Sequence, residues 1–548
     1  MTDKLAPVLQ IDNLHVALPP GSDRAYAVED VSLRIYPGQT LCVVGESGSG
    51  KSVMATAVMG LLARELQAGP GGIVLQGESL LDASPQRLRA LRGQAMGMVF
   101  QEPMTALNPV MSCGDQIDEL LRQHTDWGAS RRNEAVLDIL QRVKLPEPER
   151  MRRSYPHQLS GGQRQRIVIA MAVILQPALL ICDEPTTALD VTTQKEILRL
   201  IEELQADLSG GHRCAVLFIT HDMGVVAEIA DEVLVMHQGK AVEYGTRDAV
   251  LRTPQADYTK MFLAAVPSMT PPPARPAPQG APLLRGQDVS KTYSARDWLG
   301  RSRLTHALQA VSVAVSAGET VGIVGESGSG KSTLARCLIR LIDPTGGQVL
   351  WSQPGQGPDS ALIDVAGFSE GQLRPLRSQV QVVVQDPNRS LNPRRKVGDS
   401  IVEGAINFGA TRAEALALAV SLMEKVRLPV EGLQRYPSQF SGGQRQRIAI
   451  ARALACRPRV LVADEAVSAL DVSVQAQILG LLREIQAELG LGLIFITHDL
   501  RVAAQLCDRV LVMHQGRVVE EAATVRLYAH QQHDYTRKLF AAAPAEIG

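Results

Sequence analysis

The sequence predicts an α/β protein made of two tandem domains, each built around a mostly parallel β-sheet. Its 548 residues exceed what one hydrophobic core usually holds and suit two domains of roughly 250 residues. Several motifs occur twice in the same order, and short β-branched runs alternate with longer helical patterns. Strands separated by helices favour parallel pairing, with the chemistry in the loops at the carboxyl ends of the strands.

The tandem arrangement follows from an internal repeat. GESGSGKS occupies residues 45–52 and 325–332, SGGQRQR 160–166 and 441–447, ALDV 188–191 and 469–472, and FITHD 218–222 and 495–499. The nearly constant offset indicates two copies of one domain. Between the copies, residues 267–282 hold seven prolines in sixteen positions, a composition typical of an extended spacer. We therefore predict a first domain over 1–266, a proline-rich linker over 267–282 and a second domain over 283–548.

Composition excludes several classes of protein. The net charge is −1, so the chain lacks the excess of basic residues that is typical of nucleic-acid-binding proteins. No signal peptide is visible, and no apolar run approaches the roughly 20 residues of a membrane span, so any membrane role is expected to be peripheral. The seven cysteines are scattered and suit free thiols in a reducing cytosol better than disulfides or a zinc site.

Six short apolar runs are predicted to be strands that end at chemically distinctive residues. Residues 40–44 and 320–324 lead into GESGSGKS, 178–182 and 460–463 end at Asp-Glu pairs, and 215–220 and 493–497 end at His-Asp. The shared carboxyl edge of each sheet is therefore expected to carry a site.

GESGSGKS has the pattern of a phosphate-binding loop. Its glycines let main-chain N–H groups turn toward phosphate oxygens at the start of a helix. We call the two copies the phosphate loops and expect their lysines on the β- and γ-phosphates of ATP and their last serines on Mg²⁺. The predicted nucleotide-binding residues are Gly45, Glu46, Ser47, Gly48, Ser49, Gly50, Lys51, Ser52 and Val53, and Gly325, Glu326, Ser327, Gly328, Ser329, Gly330, Lys331, Ser332 and Thr333. Val53 in place of a threonine removes one possible hydrogen bond to the nucleotide.

The acidic pairs predict the hydrolytic groups, because a buried strand normally avoids charge. The first carboxylate of each pair is expected to hold Mg²⁺, and the second to orient and deprotonate the attacking water. A glutamine between the phosphate loop and SGGQ is a candidate contact for Mg²⁺ and the water. The histidine of THD is a candidate sensor of the γ-phosphate. The predicted metal ligands are Ser52, Gln101, Asp183, Ser332, Gln385 and Asp464, and the predicted catalytic residues are Glu184, Glu465, His221, His498, Gln101 and Gln385.

LSGGQ (159–163) and FSGGQ (440–444), each upstream of an Asp-Glu pair, resemble the signature motif of ABC ATPases. The resemblance spans nearly the whole chain. It implies two P-loop NTPase (ABC ATPase) domains, each a mostly parallel sheet core with an antiparallel β part and a helical subdomain. It also implies that the two cassettes pair within the chain, each signature covering the nucleotide on the opposite phosphate loop.

The resemblance extends to further site residues. The signature segments carried over are Ser160, Gly161, Gly162 and Gln163, and Ser441, Gly442, Gly443 and Gln444; Asp190 and Asp471 resemble the residues that communicate between sites. The family usually stacks an aromatic ring on adenine, a place that Tyr293 fits in the second domain, whereas Leu18 stands at the equivalent position in the first.

EPMTALNP, DPNRSLNP and the tails DYTKMFLAAVP and DYTRKLFAAAP are similar to the peptide and nickel importer branch. That branch implies the ATP-hydrolysing translocase subunit of an importer for dipeptides, oligopeptides or glutathione, peripheral on the cytoplasmic face of the inner membrane. It also implies two permease subunits and an extracytoplasmic solute-binding protein as partners, with one chain per transporter and no direct solute contact.

The alternative is a tandem ABC ATPase acting on ribosomes or DNA. Against it stand the short proline-rich linker, the lack of inserted cysteine pairs and the neutral charge. His237 and His514, in the repeated VMHQG, are predicted to mark a strand and turn and are given no chemistry.

Overall fold

The computed structural model describes residues 6–187, 189–207, 213–276, 280–296, 302–353, 361–468 and 470–543. The chain forms two compact units, and the main division falls between Val266 and Pro267. We call these units the first and second domains. Residues 277–279 of the predicted linker, and Ala188 and Ala469 of the repeated ALDV, lie outside the described residues. The predicted domain and linker boundaries stay predictions.

The first domain contains an antiparallel sheet and a mostly parallel sheet. Among its described residues the antiparallel sheet has the order β2-β1-β5-β6, with β4 paired to β1, and the mostly parallel one has the order β11-β10-β3-β9-β8-β7. The strands are β1 (Leu9–Ala17), β2 (Tyr26–Ile35), β3 (Thr40–Val44), β4 (Gln67–Ala68), β5 (Gly72–Leu75), β6 (Glu78–Ser79), β7 (Met96–Val99), β8 (Leu179–Asp183), β9 (Ala215–Ile219), β10 (Glu232–His237) and β11 (Lys240–Thr246).

The helices of the first domain lie between these strands and in one helical insertion after β7. They are α1 (Lys51–Val58), α2 (Pro85–Gln94), α3 (Pro103–Ala106), α4 (Cys113–His124), α5 (Ala129–Arg142), α6 (Pro148–Arg153), α7 (Gly161–Val173), α8 (Val191–Asp207), α9 (Met223–Ile229), α10 (Arg247–Arg252) and α11 (Asp257–Ala264), with a 3-10 turn at Pro156–Gln158. Ser160 begins α7 with a capping box, since its hydroxyl and the side chain of Gln163 each bond the other's main-chain amide.

The second domain repeats this plan. In the part of it that is described, the sheets have the orders β13-β12-β15-β16 and β17-β18-β19-β14-β20-β21. The strands are β12 (Leu284–Arg296), β13 (Ser302–Val315), β14 (Thr320–Val324), β15 (Gly346–Ser352), β16 (Leu362–Asp364), β17 (Val380–Val383), β18 (Val460–Asp464), β19 (Gly492–Ile496), β20 (Arg509–His514) and β21 (Arg517–Ala523).

Helices of the second domain fall at the equivalent places. They are α12 (Lys331–Leu338), α13 (Glu370–Leu373), α14 (Pro387–Ser390), α15 (Val397–Asn407), α16 (Arg412–Lys425), α17 (Gly442–Leu454), α18 (Val472–Leu489), α19 (Leu500–Leu506), α20 (Thr524–Ala529) and α21 (Asp534–Ala541), with 3-10 turns at Arg374–Gln379, Val430–Gln434 and Pro437–Gln439. The predicted α/β fold, with an antiparallel part and a helical part in each domain, is confirmed.

The central strands are buried along their whole length, which explains their apolar, β-branched sequences. Every residue of β3, β8 and β9 is buried, as is every residue of β14, β18 and β19. The predicted strand ends shift by one residue at several points: β8 runs on to include Asp183, and β9 stops before Thr220. The acidic residue is therefore part of the strand.

Strand order brings the predicted site residues to one edge of each sheet. In the first domain β3 lies between β10 and β9, β9 pairs with β8, and β8 with β7, all in parallel. The second domain has the same parallel pairs. The carboxyl ends of these strands therefore meet, although their sequences lie far apart in the chain. Within the described residues, no helix is both long and apolar enough to cross a membrane.

Candidate functional site

Each phosphate loop connects a buried strand to a helix and needs glycine at two positions. In the first domain Gly45 has φ +149° and Gly50 φ +101°. A Cβ at Gly45 would lie 2.1 Å from the carbonyl oxygen of Met236, and one at Gly50 would lie 2.3 Å from that of Ala27. Both the dihedral angle and the close neighbour exclude a side chain. Gly325 and Gly330 of the second loop have the same constraints.

The loop lysines are buried inside their own loops. Lys51 Nζ donates to the carbonyl oxygens of Gly45 at 2.7 Å and Glu46 at 2.8 Å. Lys331 makes the same two contacts in the second loop, also at 2.7 and 2.8 Å. Burial lowers the pKa of Lys331. Each ammonium is thus held by two main-chain carbonyl oxygens of its own loop.

The loop serine contacts the first carboxylate of the acidic pair. Ser52 Oγ donates to Asp183 Oδ1 at 3.0 Å, and Ser332 Oγ donates to Asp464 Oδ1 at 2.9 Å. Burial raises the pKa of Asp183 to about 6 and raises that of Asp464. A hydroxyl oxygen beside a carboxylate oxygen is the kind of donor pair that Mg²⁺ prefers, with phosphate and water completing its six ligands. The residues present fit a magnesium site.

Three polar side chains surround the carboxylate of Glu184. Gln101 Nε2 donates to Oε2 at 3.0 Å, Thr187 Oγ1 donates to Oε2 at 2.9 Å, and His221 Nδ1 lies 3.4 Å from Oε1. Burial raises the pKa of Glu184, but its contacts with His221 and Thr187 outweigh burial and lower the pKa to about 2. The carboxylate is ionised and oriented, as a group that polarises water must be.

The second acidic pair differs from the first in the oxygen that the histidine approaches and in the acceptor of the hydroxyl residue. Gln385 Nε2 donates to Glu465 Oε2 at 2.9 Å, and His498 Nδ1 lies 3.6 Å from the same oxygen. Ser468, at the position equivalent to Thr187, donates instead to the main-chain oxygen of Glu465 at 3.0 Å. Burial opposes ionisation of both Glu465 and His498, yet their mutual contact lowers the pKa of Glu465 and raises that of His498.

Other predicted residues lie elsewhere in each domain. The signature segments begin α7 and α17, where Ser160 and Ser441 are exposed capping residues. Asp190 directly precedes α8, and Asp471 precedes α18. Tyr293 is 43% exposed on β12 and has the ammonium of Lys291 5.2 Å from the centre of its ring; its stacking on adenine stays a prediction.

Two features of the sites were missed from the sequence. Sequence reasoning does not identify Thr187, although both acidic pairs have a hydroxyl residue three positions after the glutamate. It gives Tyr535, whose hydroxyl contacts the second phosphate loop, only as part of a repeated tail motif. Repetition at equivalent positions was the available signal in both cases.

Each domain has a strand, a glycine loop and a helix, with an Asp-Glu pair at the end of the next strand but one in the same sheet. These features define a nucleotide-hydrolysing P-loop protein with two such domains. The family model described as ABC transporter matches residues 28–187 and 308–468. The chain belongs to the ABC transporter family, and it is an ATP-binding ATPase. A second model, described as the C-terminal region of oligopeptide/dipeptide transporters, matches residues 242–300.

Similar proteins include glutathione import ATP-binding proteins GsiA from Shigella dysenteriae serotype 1 and Escherichia coli K12. Each is 44% identical over 578 aligned residues, covering 98% of this chain and 89% of the relative. Among solved structures, a dimeric ATP-binding cassette, MJ0796, in a post-hydrolysis state with ADP and Pi matches with 29% identity and a TM-score of 0.39, covering 44% of this chain and 99% of that one.

Proposed function

We propose that this chain is the ATP-hydrolysing subunit of an ABC importer for peptides of the dipeptide, oligopeptide or glutathione class. The observation that carries the proposal is the 44% identity, along 98% of the chain, to proteins named glutathione import ATP-binding proteins. The match of residues 242–300 to the oligopeptide/dipeptide C-terminal region supports the same solute class. Both domains hold a lysine, a serine–aspartate pair and an ionised glutamate in equivalent contacts.

At the first site, Ser52, Asp183 and Gln101 would hold Mg²⁺, which neutralises developing charge on the phosphates when bound. Lys51 would contact the β- and γ-phosphates. Glu184 would orient the attacking water and take its proton, while His221 would contact the γ-phosphate. These roles fit the contacts within the domain, where Gln101 and His221 approach opposite oxygens of the glutamate.

At the second site, the equivalent residues would have the same roles. Ser332, Asp464 and Gln385 would hold Mg²⁺, Lys331 would contact the phosphates, Glu465 would activate water and His498 would contact the γ-phosphate. The serine–aspartate and glutamine–glutamate contacts match those of the first site to within 0.1 Å. Both sites are therefore proposed to hydrolyse ATP.

We further propose that each site is completed by the signature segment of the other domain. In support, each signature segment presents an exposed serine at the N-terminus of a long helix, where main-chain N–H groups favour an anion. Asp190 and Asp471 would link the two sites.

Paired variants distinguish this arrangement from one in which each signature serves its own domain. Glu184→Gln leaves only the second site active, and Glu465→Gln leaves only the first. Adding Ser160→Arg should abolish single-turnover hydrolysis in the Glu184→Gln chain and spare it in the Glu465→Gln chain. The opposite pattern would show that the signature acts on its own domain.

The proposed partners are two membrane-spanning permease subunits and an extracytoplasmic solute-binding protein. The chain would lie on the cytoplasmic face of the inner membrane, with the segments at 110–149 and 394–431 receiving the permeases. One chain would supply both ATP sites of a transporter, and it would not contact the solute.

Reconstitution tests the proposal. The full chain, its permeases and its binding protein are placed in proteoliposomes and supplied with labelled glutathione, a dipeptide or a pentapeptide. ATP-dependent uptake of one of these solutes is expected, and the double variant Glu184→Gln/Glu465→Gln should assemble normally without transport. Failure to co-purify with permeases, together with sedimentation on ribosomes, would overturn the assignment.

A further inference from the structure

The turn between β20 and β21 supports the second phosphate loop from outside. The main-chain N–H of Gly516 donates to the carbonyl oxygen of Ser329, a loop residue, at 2.9 Å. A Cβ on Gly325 would lie only 2.2 Å from the carbonyl oxygen of Met513, which shows how closely the loop packs on the end of β20, just before this turn. The second copy of the repeated VMHQG thus packs directly against the second phosphate loop.

The tail helix α21 reaches the same turn and the same loop. The ring of Tyr535 lies 3.9 Å from the ring of His514, measured between centroids, at an interplanar angle of 34°. The hydroxyl oxygen of Tyr535 accepts a hydrogen bond from the main-chain N–H of Glu326 at 3.1 Å. One side chain therefore bridges the turn and the start of the phosphate loop.

Glu520, on β21, fixes where α21 begins. Its two carboxylate oxygens accept from the main-chain N–H groups of Gln532 at 2.8 Å and His533 at 3.0 Å. The helix that carries Tyr535 is consequently anchored to the hairpin that supports the loop.

The first domain repeats most of this arrangement. The rings of His237 and Tyr258 lie 4.0 Å apart, and Glu243 accepts from the main-chain N–H groups of Gln255 and Ala256. The main-chain N–H of Gly239 also donates to Ser49 of the first loop at 3.0 Å. The histidine stack and the carboxylate at the start of the tail helix therefore occur in both domains.

We propose that Tyr535 is a positioning residue for ATP binding: its hydroxyl orients the Glu326 peptide and so presets the main-chain geometry of the second phosphate loop. The loop binds phosphate through main-chain N–H groups, and such a cradle binds most tightly when its conformation is fixed beforehand. Glu326 directly follows the first loop glycine, so the orientation of its peptide governs how the chain turns into the cradle. This role concerns the ATPase itself and does not depend on the transported solute.

Tyr535→Phe tests the proposal, since it removes the hydroxyl and keeps the ring stack. Lys51→Ala is introduced in the full-length chain to confine tight binding to the second site, and binding of a non-hydrolysable ATP analogue is measured by calorimetry. Tyr535→Phe is expected to weaken binding about three- to tenfold, the effect of losing one hydrogen bond. In steady-state hydrolysis KM for ATP should rise by a similar factor, with a smaller change in kcat.

Tyr528→Phe is the matched control. Tyr528 lies on the preceding helix α20, and its hydroxyl donates to the carbonyl oxygen of Leu500, which is not part of the loop. This variant should lower the melting temperature at least as much as Tyr535→Phe while leaving the Kd within twofold of its parent. An unchanged Kd in Tyr535→Phe, or equal weakening in both variants, would overturn the proposal.

Discussion

The contact between Thr187 and Glu184 predicts that the two ATP sites respond differently to loss of one hydroxyl. Thr187 donates directly to the carboxylate at 2.9 Å, whereas the equivalent Ser468 donates to a main-chain oxygen. Thr187→Val removes the hydroxyl while nearly preserving volume and branching at Cβ. It should therefore loosen the glutamate of the first site, while Ser468→Ala leaves the carboxylate of Glu465 with both its partners.

The magnitude follows from the burial of Glu184, whose side chain is 15% exposed. A hydrogen bond to a charged group contributes about 1.5–3 kcal/mol. Gln101 and His221 remain in contact with the carboxylate, so we take the lower end of that range. A loss of about 1.5 kcal/mol in transition-state stabilisation slows turnover about tenfold.

Single-turnover hydrolysis measures each site alone. Thr187→Val is placed in the Glu465→Gln chain and Ser468→Ala in the Glu184→Gln chain, and each is compared with its parent. We expect about a tenfold loss in the first and less than a twofold loss in the second, with Thr187→Ser restoring most of the rate. Equal losses at the two sites, or no loss with Thr187→Val, would refute the argument.

Three further predictions concern the sites and the tail. Glu184→Gln and Glu465→Gln should each leave measurable single-turnover hydrolysis, and complete loss in either would show that the sites are not independently competent. Gly325→Ala should lower the melting temperature much more than Gly328→Ala. A Cβ at residue 325 would lie 2.2 Å from a carbonyl oxygen, whereas a Cβ at residue 328 would meet nothing within 4 Å. Gly328→Ala should cost only the about 1–2 kcal/mol of a left-handed backbone. Burial raises the pKa of Glu520, but hydrogen bonds outweigh burial and lower the pKa. The destabilisation by Glu520→Gln should therefore be full at pH 7 and shrink in melts taken below about pH 4.3, the ordinary glutamate pKa. A difference in melting temperature between the variant and its parent that is constant with pH would contradict the carboxylate's role.

Local motifs were predictable because their geometry depends on residues that adjoin in the chain. GESGSGKS specifies a turn at the end of a strand and the start of a helix, and the glycines at 45 and 50 do adopt the positive φ that such a turn needs. The signature serines likewise cap the helices that follow them.

Contacts between distant segments could be only partly predicted. The order β3-β9-β8-β7 was not readable from the sequence, yet it decides that Gln101 and His221 approach Glu184 from either side. Thr187 and Ser468 stand at equivalent positions, and the sequence pattern predicts the same role for both. Their hydroxyls nevertheless donate to different acceptors, a carboxylate oxygen for Thr187 and a main-chain oxygen for Ser468. Rotamer and packing choices of this kind depend on neighbours that the motif does not contain.

The sequence by itself determined the repeat, the α/β fold of each domain, the phosphate loops and the acidic pairs, because each is encoded by contiguous residues or by periodicity. Only the tertiary structure decided how the glutamates are held and that Tyr535 reaches the amide of Glu326, a residue 209 positions earlier in the chain. The physical reason is that a hydrogen bond depends on distances of a few tenths of an ångström, and those are set by strand order and packing across the whole domain.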